Sequence, residues 1–377
     1  MRVGAFVVLT ATVVASLGTL TCSATAAERA AKRTSPFKTT GLAEEAYDEA
    51  YDDKQAPKND NDKGCNACGY CDSLCDGCCN DSCCLTPNVC WCDPLWTVRA
   101  GSVLLQRSGG GNTTIMADTA TGAPILSGNS FGFGTQGGID VAAMRRIGPN
   151  HDIQGRYFGI DGWNAQNTIT PVGGVDILTN PNLVGLGATA TAINNSYISR
   201  LNSGEINWRT HSTNWFSWLV GFRWVELTED LESRLTFPDA TANTMWQTNN
   251  HLYGAQTGAD IKLWDRGGVF WADSFVRAGI FGNHATNTFN LTQTVGPTFN
   301  TTQTSGQTAF VGEVGLTGNL RLTDWLSLRA GYEVLWLDGV AVASDQVPAT
   351  NIFTNNGIDT TNSLFYHGAL VGATVVW

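Results

Sequence analysis

Residues 326–336 alternate strictly. Leu326, Leu328, Ala330, Tyr332, Val334 and Trp336 fall on one parity, and Ser327, Arg329, Gly331 and Glu333 on the other. Successive side chains of a strand point to opposite faces, so this stretch is a strand with one apolar and one polar face. The pattern returns along the chain. Phe310, Val314, Leu316 and Leu320 oppose Glu313, Thr317, Asn319 and Arg321; Phe216, Trp218, Val220, Phe222 and Trp224 oppose Ser217, Gly221 and Arg223. Val276, Ala278 and Ile280 oppose Asp273, Arg277 and Gly279, and Tyr253, Ala255, Ala259, Ile261 and Leu263 oppose Gln256, Asp260 and Lys262. A soluble sandwich shows the same alternation with its apolar face inward. Here the apolar faces are long and charges sit mid-strand at Arg223, Arg277, Glu313, Arg329 and Glu333, which fits an inverted wall with lipid outside and a wet interior.

The connections separate the two readings. Strands are expected near 96–107, 130–147, 151–163, 196–209, 215–228, 248–264, 269–282, 307–322, 325–339 and 363–377. Long breaks at 108–129, 164–195, 229–247, 283–306 and 340–362 alternate with short ones at 148–150, 210–214, 265–268 and 323–324. Outer-membrane barrels have short periplasmic turns, longer outside loops and an even strand count. The expected fold is therefore all-β: a transmembrane antiparallel up-and-down β-barrel of about ten strands, with eight or twelve open because alternation is poor in 130–147 and 196–209. Both ends of the barrel then lie on the periplasmic side. Trp96, Trp208, Trp215, Trp264, Trp271, Trp325 and Trp377 sit at the short-turn end, and Trp163, Trp224 and Trp336 at the other. Aromatics gather at both membrane interfaces in such walls. By strict parity Trp215, Trp264, Trp271 and Trp325 join the polar face, so either the turns re-aim them outward or they floor the barrel mouth.

Composition agrees with a barrel wall. Charged residues are 15% of the 377, Gly numbers 42 and Trp 13. A net charge of −11 without a basic patch argues against a nucleic-acid partner. Residues 1–26 read as a cleaved secretory signal peptide: Arg2, an apolar run over 3–20, then the small-residue site Ala24-Thr25-Ala26. No later apolar run is long enough for a membrane helix. Residues 27–64, acidic and poor in apolar side chains, read as a flexible linker that leaves the N-terminal extension disordered.

Residues 65–92 are a cysteine-rich segment. Cys65, Cys68, Cys71, Cys75, Cys78, Cys79, Cys83, Cys84, Cys90 and Cys92 crowd into it, and no cysteine follows. An even set in an exported chain favours disulfides, with connectivity open. Cross-links to other envelope proteins and a metal site at Cys65-x-x-Cys68-x-x-Cys71 are the lesser alternatives, the second weakened by the absence of histidine and of a zinc-finger spacing. No cofactor or bound metal is expected.

The chain ends on 363–377, Ser-Leu-Phe-Tyr-His-Gly-Ala-Leu-Val-Gly-Ala-Thr-Val-Val-Trp. This is long enough for a tilted membrane strand. A terminal strand closing on its own aromatic resembles the last strand of bacterial outer-membrane barrels, and it needs a first strand to pair with. Further segments carry a family resemblance: Leu95-Trp96-Thr97-Val98-Arg99-Ala100-Gly101, Val220-Gly221-Phe222-Arg223-Trp224-Val225-Glu226-Leu227, Asn250-His251-Leu252-Tyr253-Gly254-Ala255-Gln256, Val311-Gly312-Glu313-Val314-Gly315 and Gly331-Tyr332-Glu333-Val334-Leu335-Trp336-Leu337. Over about 95–377 the chain resembles a family of predicted outer-membrane β-barrel porins encoded mainly by planctomycete bacteria. The resemblance implies location and fold more than a transport activity, and it gives the cysteine segment no place.

No enzyme is expected. Gly132-x-Gly134-x-x-Gly137 matches a dinucleotide fingerprint in form only, because Gly138-Ile139-Asp140-Val141 continues a strand where a helix is required. His151, His211, His251, His284 and His367 are scattered, and the sequence assigns none of them a nucleophile. Arg99, Arg223, Asp260, Arg277, Glu313, Arg329 and Glu333 are the candidate lumen-facing groups. Passive passage of small polar solutes is the first functional expectation. The alternative is a non-conducting anchor or surface barrel tied to the envelope through the cysteine segment, because eight-strand barrels are filled by their own side chains, open channels appear at sixteen or more, and ion pairs among these charges would close a ten-strand lumen. Outer-membrane lipid is the expected partner.

Overall fold

The computed structural model describes residues 94–377 except 109–110, 172–174, 178–179, 181, 184–185 and 354–356. The described residues belong to the compact unit Asp93–Trp377. The signal-peptide, linker and cysteine-segment expectations lie outside them.

Ten strands close into one antiparallel barrel: β1 (Trp96–Arg107), β4 (Gln136–Gly148), β5 (His151–Ile169), β7 (Ala192–His211), β8 (Phe216–Thr236), β9 (Thr241–Asp265), β10 (Phe270–Gln293), β11 (Phe299–Arg321), β12 (Leu326–Val340) and β13 (Asn362–Val376). Every strand pairs with its chain neighbours, and β13 pairs with β1. Trp96 N–H donates to the Trp377 carbonyl at 2.8 Å, joining the two ends of the barrel. The poorly alternating segments form strands as well, so the count is ten. Between barrel strands, β2 (Thr114–Asp118), β3 (Pro124–Ser127) and β6 (Val175–Ile177) form a second sheet in the order β3-β2-β6. A short helix, α1 (Ala343–Ala349), lies between β12 and β13. No described helix is long and apolar enough to cross a membrane, so the crossing elements are strands.

Strand β8 carries two opposite patterns in one register. On β8 the outward side chains are Phe216, Trp218, Val220, Phe222 and Trp224, then Glu226, Thr228, Asp230, Glu232 and Arg234. The inward ones are Ser217, Leu219, Gly221 and Arg223, then mainly apolar, with Val225, Leu227, Leu231 and Leu235 fully buried alongside Glu229 and Ser233. Near Trp224 the wall therefore exchanges lipid outside and polar inside for water outside and apolar inside. The strand itself does not notice, because its backbone is hydrogen-bonded to both neighbours throughout.

This inversion corrects the expected long loops. The breaks expected at 229–247 and 283–306 are mostly strand: β8 and β9 join through residues 237–240, and β10 and β11 through 294–298. The apolar stripe that marks a strand ends where lipid ends, while the ladder continues through Asn- and Thr-rich sequence. Strands β7 to β11 run 20 to 25 residues against 12 to 15 for β1, β4, β12 and β13. A tilted crossing needs only about 9–11. The wall thus stands tall on one side, and the β1–β4, β5–β7 and β12–β13 connections hold the small sheet and α1. The short-turn expectations hold at 149–150, 212–215, 266–269 and 322–325.

Two bulges reset parity. Asp273 pairs with Lys262 but Ala272 with Trp264, so one residue of β9 is left over and Trp264 turns to the outer face beside Phe270, ring centroids 5.5 Å apart. Trp271 stays inside, its indole N–H donating to Asp273 Oδ2 at 3.0 Å. A second irregularity between Ile160 and Trp163 turns Trp163 inward. It is fully buried, with its N–H on the Leu105 carbonyl at 2.9 Å, and so serves the core rather than the outer aromatic girdle. His367, the polar exception on the outer face of β13, meets the Tyr332 hydroxyl at 2.6 Å.

Candidate functional site

The barrel interior has three levels. At mid-wall lies an ion-pair girdle. Arg156 on β5 reaches Asp140 (2.8 Å), Glu313 (2.5 Å) and Glu333 (3.4 Å). Arg223 on β8 donates to Glu313 Oε2 at 2.6 Å and to Ser203 Oγ at 2.8 Å. Arg277 on β10 donates to Glu205 at 2.9 Å and approaches Glu313 at 3.5 Å. Three guanidiniums thus surround one carboxylate, and Gln256 donates its amide to Glu205. Charges are stable away from water only when paired and hydrogen-bonded, and each of these is. Arg223 is 1% exposed and the Glu313 side chain 1%, so the hub of the girdle is closed to water.

Arg156, Glu205 and Asp140 were missed in the sequence although a signal existed. Ile206 and Trp208 alternate with Glu205, Asn207 and Arg209 as cleanly as in the strands that were recognised.

Above the girdle the interior is a hydrophobic core. It includes Leu105, Trp163, Leu201, Leu227, Trp246, Phe281, Phe289, Leu337 and Tyr366. At its centre Arg107 pairs with Glu229, and Glu229 also accepts from the Tyr197 hydroxyl (2.6 Å), Ser199 Oγ (3.1 Å) and the Ala343 amide (3.0 Å). Phe131 and Phe133 fold back onto the Tyr197 ring, each 5.2 Å centroid to centroid. Helix α1 seats over this core. Asn250 donates to the Ala341 carbonyl (2.8 Å) and accepts from its amide (2.7 Å), while Asn180 donates to the Val347 and Thr350 carbonyls at 2.8 and 2.7 Å. Asp345 is buried beside Glu229 and Asp359, and burial raises its carboxyl above the usual range.

Below the girdle the interior opens at the short-turn end. Side-chain exposure rises to 25% at Asp260, 26% at Arg146 and 40% at Lys262. Asp260 accepts from Arg209 at 2.5 Å. Arg99 and Arg329 are partly exposed here, on the inward parity of β1 and β12.

Ser217, His211 and Asp152 also meet at this end: His211 Nδ1 to Ser217 Oγ is 2.7 Å and Nε2 to Asp152 Oδ2 is 2.6 Å. A nucleophile–base–acid set also needs free donors at a developing oxyanion. Ser217 lies in the ladder between His211 and Asp260, which engages the neighbouring amides, and it is buried. The trio's side chains satisfy one another within the wall. Among the described residues no group of three or more His, Cys, Asp and Glu could hold a metal ion.

No curated protein matches the chain by sequence. Among solved structures, the outer membrane protease OmpT from Escherichia coli is similar at 7% identity and a TM-score of 0.45, covering 75% of this chain and 96% of that one. The toluene transporter TodX from P. putida aligns at 10% identity and a TM-score of 0.32, covering 76% and 91%. A FadL homologue from Pseudomonas aeruginosa aligns at 10% identity and a TM-score of 0.23, covering 74% and 89%. Residues 110–364, including nine of the ten barrel strands in whole or part, match the family model "Putative beta barrel porin-7 (BBP7)", and this outer-membrane β-barrel protein belongs to that family.

Proposed function

We propose that the barrel does not conduct in its resting conformation and acts as an anchor that displays its tall outer wall at the cell surface. The girdle of Arg156, Arg223, Arg277, Glu205 and Glu313 carries this reading, because it fills the lumen from opposite walls. The core and α1 add two further barriers above it. The short turns support a periplasmic N-terminal extension, and in that compartment its cysteines would have chemical access to disulfides with envelope proteins. No enzyme activity is proposed.

The test is planar-bilayer recording with the folded full chain, insertion being verified by heat-dependent electrophoretic mobility. Verified insertion without conductance steps supports the anchor. Discrete, reproducible steps overturn it and restore passive passage of small polar solutes as the function. Non-reducing electrophoresis of native membranes tests the envelope link, which a purely monomeric band removes.

A further inference from the structure

The inward carboxylates Asp140, Glu205, Asp260, Glu313 and Glu333 are all engaged by Arg156, Arg209, Arg223 or Arg277. Asp273 is engaged by Trp271 and Asn319. Arg99 and Arg329 have no hydrogen bond or ion pair among the described residues, although both lie inside the wall and both reach water. Asp260 approaches Arg99, and Asp140 and Glu333 approach Arg329, without entering hydrogen-bond distance.

The ladder brings the two arginines together. Arg99 on β1 stands opposite Thr374, and Arg329 on β12 opposite Gly372, so they flank β13 two residues apart in level. On β13 the inward positions between them are Thr374 and Gly372, and Gly372 with its partner Gly101 leaves the part of the wall beside Arg329 without side chains. Two like charges thus flank β13 on its inner face, at a mouth that opens to water. Their planar forks match the oxygens of a tetrahedral oxyanion bidentately.

We propose that Arg99 and Arg329 form a binding site for a small oxyanion of the phosphate type, entered from the short-turn end. The nearby carboxylates are held by other groups: Asp140 and Glu333 by Arg156, Asp260 by Arg209, and Asp273 by Trp271 and Asn319. The site is independent of whether the barrel conducts, since the vestibule lies wholly below the girdle.

The experiment is arginine modification by phenylglyoxal on the folded full chain, mapped by peptide mass spectrometry, with and without inorganic phosphate. Arg99 and Arg329 should be modified in its absence and protected in its presence, while girdle Arg223 stays unmodified in both. Phosphate should also raise the unfolding midpoint, and R99Q/R329Q should weaken that effect at least about tenfold, whereas R266Q on the rim leaves it unchanged. If the Gln pair does not fold, R99K/R329K keeps the charges and loses the forks, and the same weakening is expected. Modification that phosphate does not reduce, or wild-type phosphate binding by either double variant, overturns the site.

Discussion

Arg156 Nη1 donates to Glu313 Oε1 at 2.5 Å although β5 and β11 stand five places apart in a ring of ten, directly across the barrel. One bond therefore ties opposite walls, and Glu313 holds Arg223 and Arg277 from two further strands. The girdle is a spoke arrangement with Glu313 near its hub.

Removing the hub should cost more than removing a spoke. Glu313→Gln leaves three buried guanidiniums short of one negative charge, and breaking a buried pair this way costs about 3–5 kcal/mol. The expected result is a clear fall in the denaturant midpoint of the folded band on cold electrophoresis. Adding Arg223→Met to Glu313→Gln should recover part of the loss. A double variant no better than the single would mean that charge balance is not what holds the girdle.

The pattern inversion on β8 predicts a sharp membrane boundary. Phe222→Lys places a charge on the outer face below Trp224, where lysine costs up to about 2–4 kcal/mol in lipid. Thr228→Lys lies six residues further along the same face and should stay within about 0.5 kcal/mol, as surface changes do. Equal effects in lipid-refolded protein would place the boundary elsewhere.

The seat of α1 should loosen as pH rises. Burial, reinforced by Asp359 and Glu229, raises the Asp345 carboxyl, so the folded form binds its proton more tightly than the unfolded form. Stability then declines as pH climbs from the ordinary carboxylate range through the raised value, and is greatest below it. Amide exchange over 343–349, corrected for intrinsic rates, should show fewer openings in mild acid. Asp345→Asn should remove that difference. A seat that opens more readily in acid would contradict the assignment.

Closure of the ring depends on Gly368. A Cβ there would lie 2.0 Å from the Leu104 carbonyl oxygen on β1, which is backbone and cannot rotate away. Gly368→Ala should therefore weaken the β1–β13 seam by more than the usual 1–3 kcal/mol of overpacking. Loss of the heat-modifiable band is the readout, with Ala369→Gly, on the other face of the same strand, as the milder comparison.

The ring was legible in the sequence because period-2 alternation and short turns are local properties. Leu326 to Trp336 states its two faces within one strand, and Trp96 and Trp377 mark two ends that must meet. Gly339 was less legible. Its φ of 79° accompanies a register shift between Asp338 and Val340 that turns the chain inward toward α1, and no local apolar pattern announces it. The outer half of the tall strands was hidden for a related reason: alternation reports solvent contrast, and above Trp224 that contrast reverses. The girdle was half legible. Arg223, Arg277, Glu313 and Glu333 announce themselves as mid-strand charges, but which acid meets which base, and which arginines are left over, depends on who stands across the lumen. That is decided by ring size and register. A strand's own residues fix its faces; only closure of ten strands at this stagger brings Arg156 to Glu313 and leaves Arg99 and Arg329 facing water.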